Sequence, residues 1–198
     1  MRYFTADLHL QHPKLAELRG FDSVPDHDAA VIDAFGALTA DDELWVLGDI
    51  CSGGVASMES ALAQLSGLPV RMHLVTGNHD PVHPMRRGAQ RFFAANAAVF
   101  ASIQPFARVK VGGVGALLSH FPYAGTPDRH ERDEFLQYQL TDRGQWLIHG
   151  HTHSEVRRSA ARSVCVSLEA WGLRPASEIE VAEVMETAED DDVPSAVL

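Results

Sequence analysis

Residues 73–80 read His73-Leu74-Val75-Thr76-Gly77-Asn78-His79-Asp80, a short apolar run that passes through a glycine into three polar side chains. Short apolar runs bounded by turn residues are typical of buried strands. The pattern recurs four times: Asp7-Leu8-His9 follows Tyr3-Phe4-Thr5-Ala6, Gly48-Asp49 follows Leu44-Trp45-Val46-Leu47, His120 follows Ala116-Leu117-Leu118-Ser119, and His149-Gly150-His151-Thr152-His153 follows Trp146-Leu147-Ile148. The sequence therefore predicts five strands that each present Asp, Asn or His side chains where the strand ends.

Helical patterns separate these runs. One predicted face holds Val31, Ile32, Phe35 and Leu38, and another holds Met58, Ala61, Leu62 and Leu65. Asp26 or Asp28 is a candidate N-cap for the earlier helix, Ser66-Gly67 closes the later one, and an alanine-rich stretch over residues 85–100 predicts a further helix. Alternating strands and helices predict α/β layers, in which ligands gather beyond the carboxyl ends of the strands.

The composition is that of one ordinary globular domain. A chain of 198 residues can bury a full core without cross-links. We expect residues 1–182 to form a single domain. Residues 183–198, which include Glu189-Asp190-Asp191-Asp192, are expected to form an acidic, flexible tail.

The charge and the cysteine content limit the classes of binding partner and the cellular compartment that we expect for this protein. The net charge of −11 disfavours an extended nucleic acid, because its backbone is usually gripped through clustered Lys and Arg. The two cysteines, Cys51 and Cys165, form neither a disulfide framework nor a zinc pattern. No apolar run is long enough to span a membrane, and from the first residues we expect no export signal. We therefore expect a cytoplasmic protein with no membrane partner, whose oligomeric state the sequence does not specify.

The polar clusters supply Asp, Asn and His without Cys, a ligand set suited to Mn, Fe or Zn. Seven of these side chains are candidate ligands: Asp7, His9, Asp49, Asn78, His120, His151 and His153. Seven ligands are too many for one catalytic ion, so they predict two ions that share a carboxylate. A metal pair of this kind hydrolyses phosphoesters by in-line attack of a bridging hydroxide. His79 is the candidate general acid for the leaving oxygen, and Asp80 could orient its imidazole.

In this order, Asp-x-His, Gly-Asp, Gly-Asn-His-Asp, a lone His and Gly-His-x-His resemble the calcineurin-like metallophosphoesterase superfamily over residues 1–180. Three segments are similar to a bacterial and phage subgroup of small predicted phosphoesterases: Phe4-Thr5-Ala6-Asp7-Leu8-His9, Ser119-His120-Phe121-Pro122-Tyr123 and Trp171-Gly172-Leu173-Arg174-Pro175. One departure is Ile50-Cys51-Ser52-Gly53-Gly54 after Gly-Asp, where many relatives have another Asp or a Gly. It concerns the residues that contact the ligands rather than the ligands themselves.

The resemblance implies a four-layer α/β/β/α sandwich, in which two mixed sheets are flanked by helices and the metals lie at the strand ends. It assigns Asp7, His9 and His153 to the first metal, assigns Asn78, His120 and His151 to the second, and makes Asp49 the bridge. Two divalent ions are implied as cofactors, manganese first, with iron, zinc, nickel or cobalt as alternatives.

The expected activity is hydrolysis of a small phosphodiester or phosphomonoester, with a nucleotide as one substrate class. A nuclease that acts on nucleic acid ends and a non-catalytic metal-binding scaffold are the alternatives. Arginines that could grip phosphate are Arg19, Arg86, Arg87, Arg129 and Arg174. Arg19 and Tyr123, which could stack on a base or close the pocket, are the candidate substrate contacts, whereas Cys51 is expected to pack and His149 to hydrogen-bond near the ligands.

Overall fold

The computed structural model describes residues 1–51, 54–126 and 135–187. The strands there are β1 (Arg2–Thr5), β2 (Glu43–Val46), β3 (Arg71–Val75), β4 (Ser102–Gln104), β5 (Phe106–Val111), β6 (Val114–Ser119), β7 (Trp146–His149), β8 (Arg158–Ala160), β9 (Ser163–Cys165) and β10 (Ala176–Ser177). The α-helices are α1 (Pro13–Leu18), α2 (Val24–Asp33), α3 (Val55–Leu65), α4 (Ala89–Asn96) and α5 (Glu178–Glu186). Short 3-10 turns occupy Ala97–Val99, Leu136–Tyr138 and Leu168–Trp171.

The first sheet has the order β10-β1-β2-β3-β4. Strands β1 to β4 are parallel, and β10 pairs antiparallel with β1. The register places Thr5 beside Val46 and Val46 beside Leu74. The three predicted runs of this sheet therefore end at the same edge.

The second sheet has the order β5-β6-β7-β9-β8. Its central strands β6, β7 and β9 are parallel, and the outer strands β5 and β8 are antiparallel to their neighbours. Leu118 pairs with Ile148, and Ile148 pairs with Val164. Both sheets are mixed, so the predicted α/β architecture of two mixed sheets with flanking helices is confirmed.

Strand alternation divides the apolar side chains between two clusters. On β2, Leu44 and Val46 pack with the helical residues Met58 and Leu65 in one cluster, while Trp45 contacts the other. The second cluster lies between the sheets, where Phe4 and Leu47 meet Leu118, Trp146 and Ile148. Full burial of one such side chain contributes about 1.5–3 kcal/mol, which fixes the relative position of the sheets.

The predicted helical face on α3 was confirmed. The other predicted face was wrong in part, because α2 ends at Asp33 and the buried residues Phe35 and Leu38 lie beyond it. Two other helix boundaries were also wrong. Met58, Ala61, Leu62 and Leu65 are all buried, and α3 ends at Ser66 as predicted. Ser23, not Asp26 or Asp28, caps α2: its side chain accepts from the backbone N–H of Asp26. The helix predicted over residues 85–100 is shorter, because α4 begins only after Gly88. The longest helix has 11 residues, and within the described ranges no helix is long and apolar enough to cross a membrane.

Helix α5 crosses the predicted domain boundary at residue 182. It continues to Glu186 and buries Val181 and Met185 in the cluster between the sheets. The folded part therefore extends beyond 182, because these two apolar side chains are four residues apart on one helix face. Residues 188–198, most of the predicted acidic tail, lie outside the described residues.

Candidate metal centre

The loops that follow β1, β2, β6 and β7 are joined by direct hydrogen bonds. The backbone N–H of Asp7 donates to the carbonyl of Gly48 at 3.0 Å, and that of Gly150 donates to the carbonyl of His120 at 3.0 Å. The two sheets are joined by the N–H of His151, which donates to Asp7 Oδ2 at 2.9 Å across 144 positions of sequence. The strand-end side chains of both sheets are thereby brought to one place.

Asp7, His9 and His153 form a first group of possible ligands, whose oxygen and nitrogen atoms lie within 4.8 Å of one another. Asp7 Oδ1 and both ring nitrogens of His9 are buried, and none has a hydrogen-bond partner among the described residues. Buried polar atoms normally have partners, because burial without one is unfavourable by several kcal/mol. A cation would supply the missing contact.

Asp49, His120 and His151 form a second group with the same mutual distance limit of 4.8 Å. Asn78 completes it, since its Oδ1 lies 3.0 Å from His120 Nε2 and 3.0 Å from His151 Nδ1. His120 Nδ1 lies 2.8 Å from the carbonyl of Leu47, which can only accept, so Nδ1 carries the proton and Nε2 faces the group.

The carboxylate of Asp49 lies between the two groups. Its Oδ2 is 3.7 Å from His9 Nε2 on one side and 3.5 Å from His120 Nε2 on the other. Its Oδ1 accepts from the backbone N–H of His79 at 2.8 Å, which fixes the carboxylate plane. This placement is the one a shared ligand requires.

Charge is compensated inside the cluster through histidine. Burial raises the pKa of Asp7 and lowers that of His9. Burial alone would lower the pKa of His120, but the Asp49 carboxylate raises it to about 9. The buried carboxylates thus favour positive charge beside them, and the mixed oxygen and nitrogen donors fit divalent transition metals.

Most of the candidate ligands have left-handed backbone conformations. The φ angles are 58° at Asp7, 46° at His9, 55° at Asp49, 68° at His151 and 48° at His153. Asp and His adopt this region more readily than most residues, yet a strained residue of this kind is still unfavourable by about 1–3 kcal/mol. Such conformations cluster at functional sites, and here they turn successive side chains toward the same point.

The glycines of the motifs are needed for close approach. A Cβ atom on Gly77 would lie 2.3 Å from Asp49 Oδ1, and one on Gly48 would lie 2.5 Å from the backbone nitrogen of Gly77. A Cβ on Gly150 would lie 2.4 Å from Ala6 Cβ and 2.7 Å from Asp7 Oδ2. The loops can therefore cross beside the carboxylates only without side chains.

The sequence model of the calcineurin-like phosphoesterase superfamily domain matches residues 4–187, which include the whole cluster. The chain belongs to the calcineurin-like phosphoesterase superfamily. The phosphoesterase chain is also similar to two phage proteins. It is 41% identical over 182 residues to the gene 66 protein of Mycobacterium phage L5, covering 86% of this chain and 87% of that protein. It is 40% identical over 187 residues to the gene 66 protein of Mycobacterium phage D29, covering 89% of this chain and 92% of that protein.

Among solved structures, a protein of unknown function from Aquifex aeolicus has a similar fold. The TM-score is 0.65 at 23% sequence identity, with 93% of this chain and 98% of that chain covered. This similarity supports the fold of the phosphoesterase and does not extend to its substrate.

Two residues that support the first ligand group were missed by the sequence analysis. Glu169 Oε1 lies 2.9 Å from His153 Nδ1, so His153 presents Nε2 to the group. Ser167 Oγ donates to Asp7 Oδ2 at 2.6 Å and leaves Asp7 Oδ1 for a cation. Neither residue belongs to a recognisable motif, and their nearness to Trp171-Gly172 in the subgroup-like segment was the only available signal.

Arg19 was predicted to contact substrate, and that prediction is wrong. Its side chain is only 4% exposed and donates to Glu169 Oε1 at 2.8 Å and to the carbonyls of Asp7 at 2.7 Å and Leu8 at 2.9 Å. Burial would raise the pKa of Glu169, but His153 and Arg19 hold it at about 2. Arg19 therefore supports the loop that carries Asp7 and does not reach the solvent where a substrate would bind.

Tyr123 also lacks the role predicted for it in substrate binding. The residue is buried, with 4% exposure, and its hydroxyl donates to the carbonyl of Gln145 at 2.9 Å. Of the remaining arginines, Arg174 pairs with Glu180 at 2.6 Å, and Arg129 lies outside the described residues. Arg86 and Arg87 are exposed.

Asp80 was predicted to orient the imidazole of His79, and the structure assigns its carboxylate to backbone groups instead. It accepts from the N–H groups of Asp49 at 3.1 Å, Ile50 at 3.0 Å and Gly77 at 2.7 Å. Burial, followed by the charge of Asp49, raises its pKa to about 7. Asp80 therefore holds the two glycine loops together around Asp49. Ile50, the first residue of the atypical segment after Gly48-Asp49, takes part in this contact through its backbone N–H.

His79 lies beside the two ligand groups without belonging to either. Its side chain is 39% exposed, and its Nε2 lies 4.0 Å from Asp49 Oδ2. Three other polar residues near the centre have structural contacts: His12 caps α1, buried His149 contacts Ser159 Oγ at 2.6 Å, and Cys51 is buried as predicted. His79 thus has an open side next to the centre.

Proposed function

We propose that this phosphoesterase hydrolyses a small phosphodiester or phosphomonoester with two divalent ions. The supporting observation is that two groups of ligand atoms meet at Asp49, while Asp7 Oδ1 and the His9 nitrogens are buried with no hydrogen-bond partner in the described part of the chain. Asp7, His9 and His153 would hold one ion, Asn78, His120 and His151 the other, with Asp49 shared. When bound, such ions stabilise the charge that develops on the phosphoryl oxygens and make water a better nucleophile at neutral pH.

His79 supplies the proton that the leaving oxygen needs. Its backbone N–H is fixed by Asp49 Oδ1, which places the imidazole beside the centre, and its exposed side leaves room for a substrate. A general acid of this kind contributes about 100- to 10,000-fold to the rate when the leaving group is poor.

The first test separates metal binding from proton transfer. Asp49→Ala should lose both ions and activity. His79→Ala should keep both ions, lose about 100- to 10,000-fold in turnover of an alkyl phosphodiester, and lose less with bis-nitrophenyl phosphate. Metal content is measured by mass spectrometry of the purified proteins. Exposed Asp41→Ala is the matched control for loss of a carboxylate.

Two results would contradict the proposal. Loss of metal from His79→Ala would remove the role given to this residue. A protein loaded in turn with manganese, iron, zinc, nickel or cobalt that turns over no phosphoester would favour the scaffold alternative. Manganese is the ion that we expect to give the highest activity.

A nuclease that acts on nucleic acid ends is less well supported. The net charge of −11 would repel a long polyphosphate, whereas a small substrate meets only the local potential of the site. A strand-cleavage assay beside a panel of small esters decides between the two. We expect the small esters to be preferred and the enzyme to act in the cytoplasm.

A further inference from the structure

A cavity of about 410 Å³ opens beside His79, outside both ligand groups. It is lined by Gly54, Val55, His79, Pro81, Arg86, Gly88 and Phe92. This volume is within the range of small-molecule sites, about 300–1,000 Å³. Because His79 forms part of its wall, a group bound in the cavity would lie next to the proposed proton donor.

Arg86 gives the cavity a fixed positive charge. The residue is exposed, and its Nη2 donates to the backbone carbonyl of Asn78, a candidate ligand. A guanidinium has five N–H donors, so one bond to a carbonyl leaves enough donors for a bidentate contact with a phosphate. The bond to Asn78 holds this cation between the cavity and the centre.

Phe92, Val55 and Pro81 form the apolar part of the cavity wall. Phe92 packs against the core from the cavity side, which holds its ring in place, and Val55 is 55% exposed. A planar base binds more tightly when it stacks on an aromatic side chain. A cavity lined by both an aromatic ring and a cation suits a ligand that carries both a flat ring and an anion.

The chain around the cavity is locally basic in an acidic protein. No Asp or Glu occurs between Asp80 and Asp128, whereas Arg86, Arg87 and Arg91 fall within six positions. The overall charge of −11 therefore does not describe this side of the centre.

We propose that the cavity binds the leaving group of the substrate and that this group is a nucleotide, with its base on Phe92 and its own phosphate on Arg86. The proposal rests on the proposed phosphodiesterase activity. In the reaction, water forms the new P–O bond, the P–O bond to the nucleotide breaks, and the departing oxygen keeps the bonding electron pair and takes a proton from His79. The products are a phosphomonoester and a nucleotide with a free hydroxyl.

Three substrates with the same phosphoryl part and different leaving groups test the assignment. They are the linear dinucleotide pApA, which releases 5′-AMP through its 3′ oxygen, ApA, which releases adenosine, and the methyl ester of 5′-AMP, which releases methanol. The value of kcat/KM should rise by about tenfold or more from the methyl ester to ApA, which adds the nucleoside, and again from ApA to pApA, which adds the phosphate. Arg86→Gln should abolish the advantage of pApA over ApA, and Phe92→Leu should abolish that of ApA over the methyl ester.

Arg91→Gln is the matched control, because Arg91 is exposed on the same segment and does not line the cavity. The ratio of kcat/KM for pApA to that for ApA, and the ratio for ApA to that for the methyl ester, should both be unchanged in this variant. Binding of 5′-AMP is measured by calorimetry in EDTA, where its phosphate has no ion to contact, and Arg86→Gln should weaken it about tenfold. Circular dichroism and thermal melting establish that each variant is folded.

The outcomes distinguish the two proposals. If bis-nitrophenyl phosphate is not hydrolysed, the proposed phosphodiesterase activity is wrong, and AMP binding still tests the cavity. If that ester is hydrolysed but the wild type does not discriminate among the three substrates, or Arg86→Gln keeps the pApA preference, the nucleotide assignment is overturned. A preference for an apolar leaving group that depends on Phe92 but not on Arg86 would also overturn it.

Discussion

Glu169 determines which nitrogen of His153 faces the first ligand group. Its carboxylate contacts His153 Nδ1 at 2.9 Å and pairs with buried Arg19 at 2.8 Å. Glu169→Gln keeps the size of the side chain but removes the charge that stabilises this arrangement. We expect the affinity for the manganese ion at the first ligand group to fall about 10- to 100-fold, as measured by calorimetry.

Glu17→Gln is the control for that experiment, because the Glu17 side chain is 72% exposed and pairs with Lys14 in the same helix. It should bind manganese like the wild type. Unchanged affinity in Glu169→Gln would show that His153 is oriented without the carboxylate.

Gly150→Ala tests the close approach of the last loop to the first. Its new Cβ would lie 2.4 Å from Ala6 Cβ, so the loop must move and carry His151 and His153 with it. Overpacking should lower the free energy of unfolding by about 1–3 kcal/mol in urea, and manganese affinity should fall with it. Gly67→Ala, whose Cβ would meet an ordinary contact of 3.4 Å, should leave both quantities near the wild-type values.

The sequence predicted the candidate ligands better than the residues around them. The groups containing Asp7 and Asp49 could be found because Asp, Asn and His recur at strand ends, where their chemistry has few other uses. Arg19 could not be interpreted correctly, since its partner Glu169 lies 150 positions away and an internal ion pair satisfies the charge as well as a substrate would. Asp80 was likewise misread, because adjacency to His79 in sequence did not bring their side chains together.

At the scale of elements, α5 begins with a reciprocal capping box. Ser177 Oγ accepts from the N–H of Glu180 at 3.3 Å, Glu180 Oε2 accepts from the N–H of Ser177 at 3.0 Å, and Arg174 pairs with the carboxylate. Glu180→Gln should lower the free energy of unfolding by about 1 kcal/mol near pH 6.

This contribution depends on pH in a defined direction. The hydrogen bond from Arg174, helped by Ser177, lowers the pKa of Glu180 from its usual 4.5 to about 2. The stabilisation is therefore complete above pH 4.5 and is lost as the pH falls toward 2. Urea unfolding at several pH values should show the difference between wild type and Glu180→Gln shrinking across this window. A constant difference would contradict this explanation, and exposed Glu183→Gln should show little effect throughout.

Elements were predictable where burial gave an unbroken apolar run. The four residues of β7 are all buried and were found, whereas β5 alternates between exposed and more buried residues and has no unbroken apolar run. The strands β8 and β10 have three and two residues, too few for periodicity to be read. The cap of α2 was misassigned because Ser23, Asp26 and Asp28 are all competent caps, and only the backbone geometry selects Ser23.

For the whole molecule, the candidate ligands come from both sheets. Asp7, Asp49 and Asn78 follow strands of the first sheet, while His120 and His151 follow strands of the second. Ions that bind only the folded chain should stabilise it by about 2.7 kcal/mol at 100 times their dissociation constant, which corresponds to a rise in Tm of about 5–10 °C. Scanning calorimetry with manganese and with EDTA measures this rise, and Asp49→Ala should not show it. An equal rise in Asp49→Ala would place the stabilising ions elsewhere.

The link between Asp7 and His151 also has a consequence for the kinetics of folding. A contact that joins residues 144 positions apart is expected to close late in folding, because closing so long a loop is entropically unfavourable. Cations that need this contact cannot guide the early collapse of the chain. They should leave the refolding rate nearly unchanged and lower the unfolding rate, which lengthens the lifetime of the folded state.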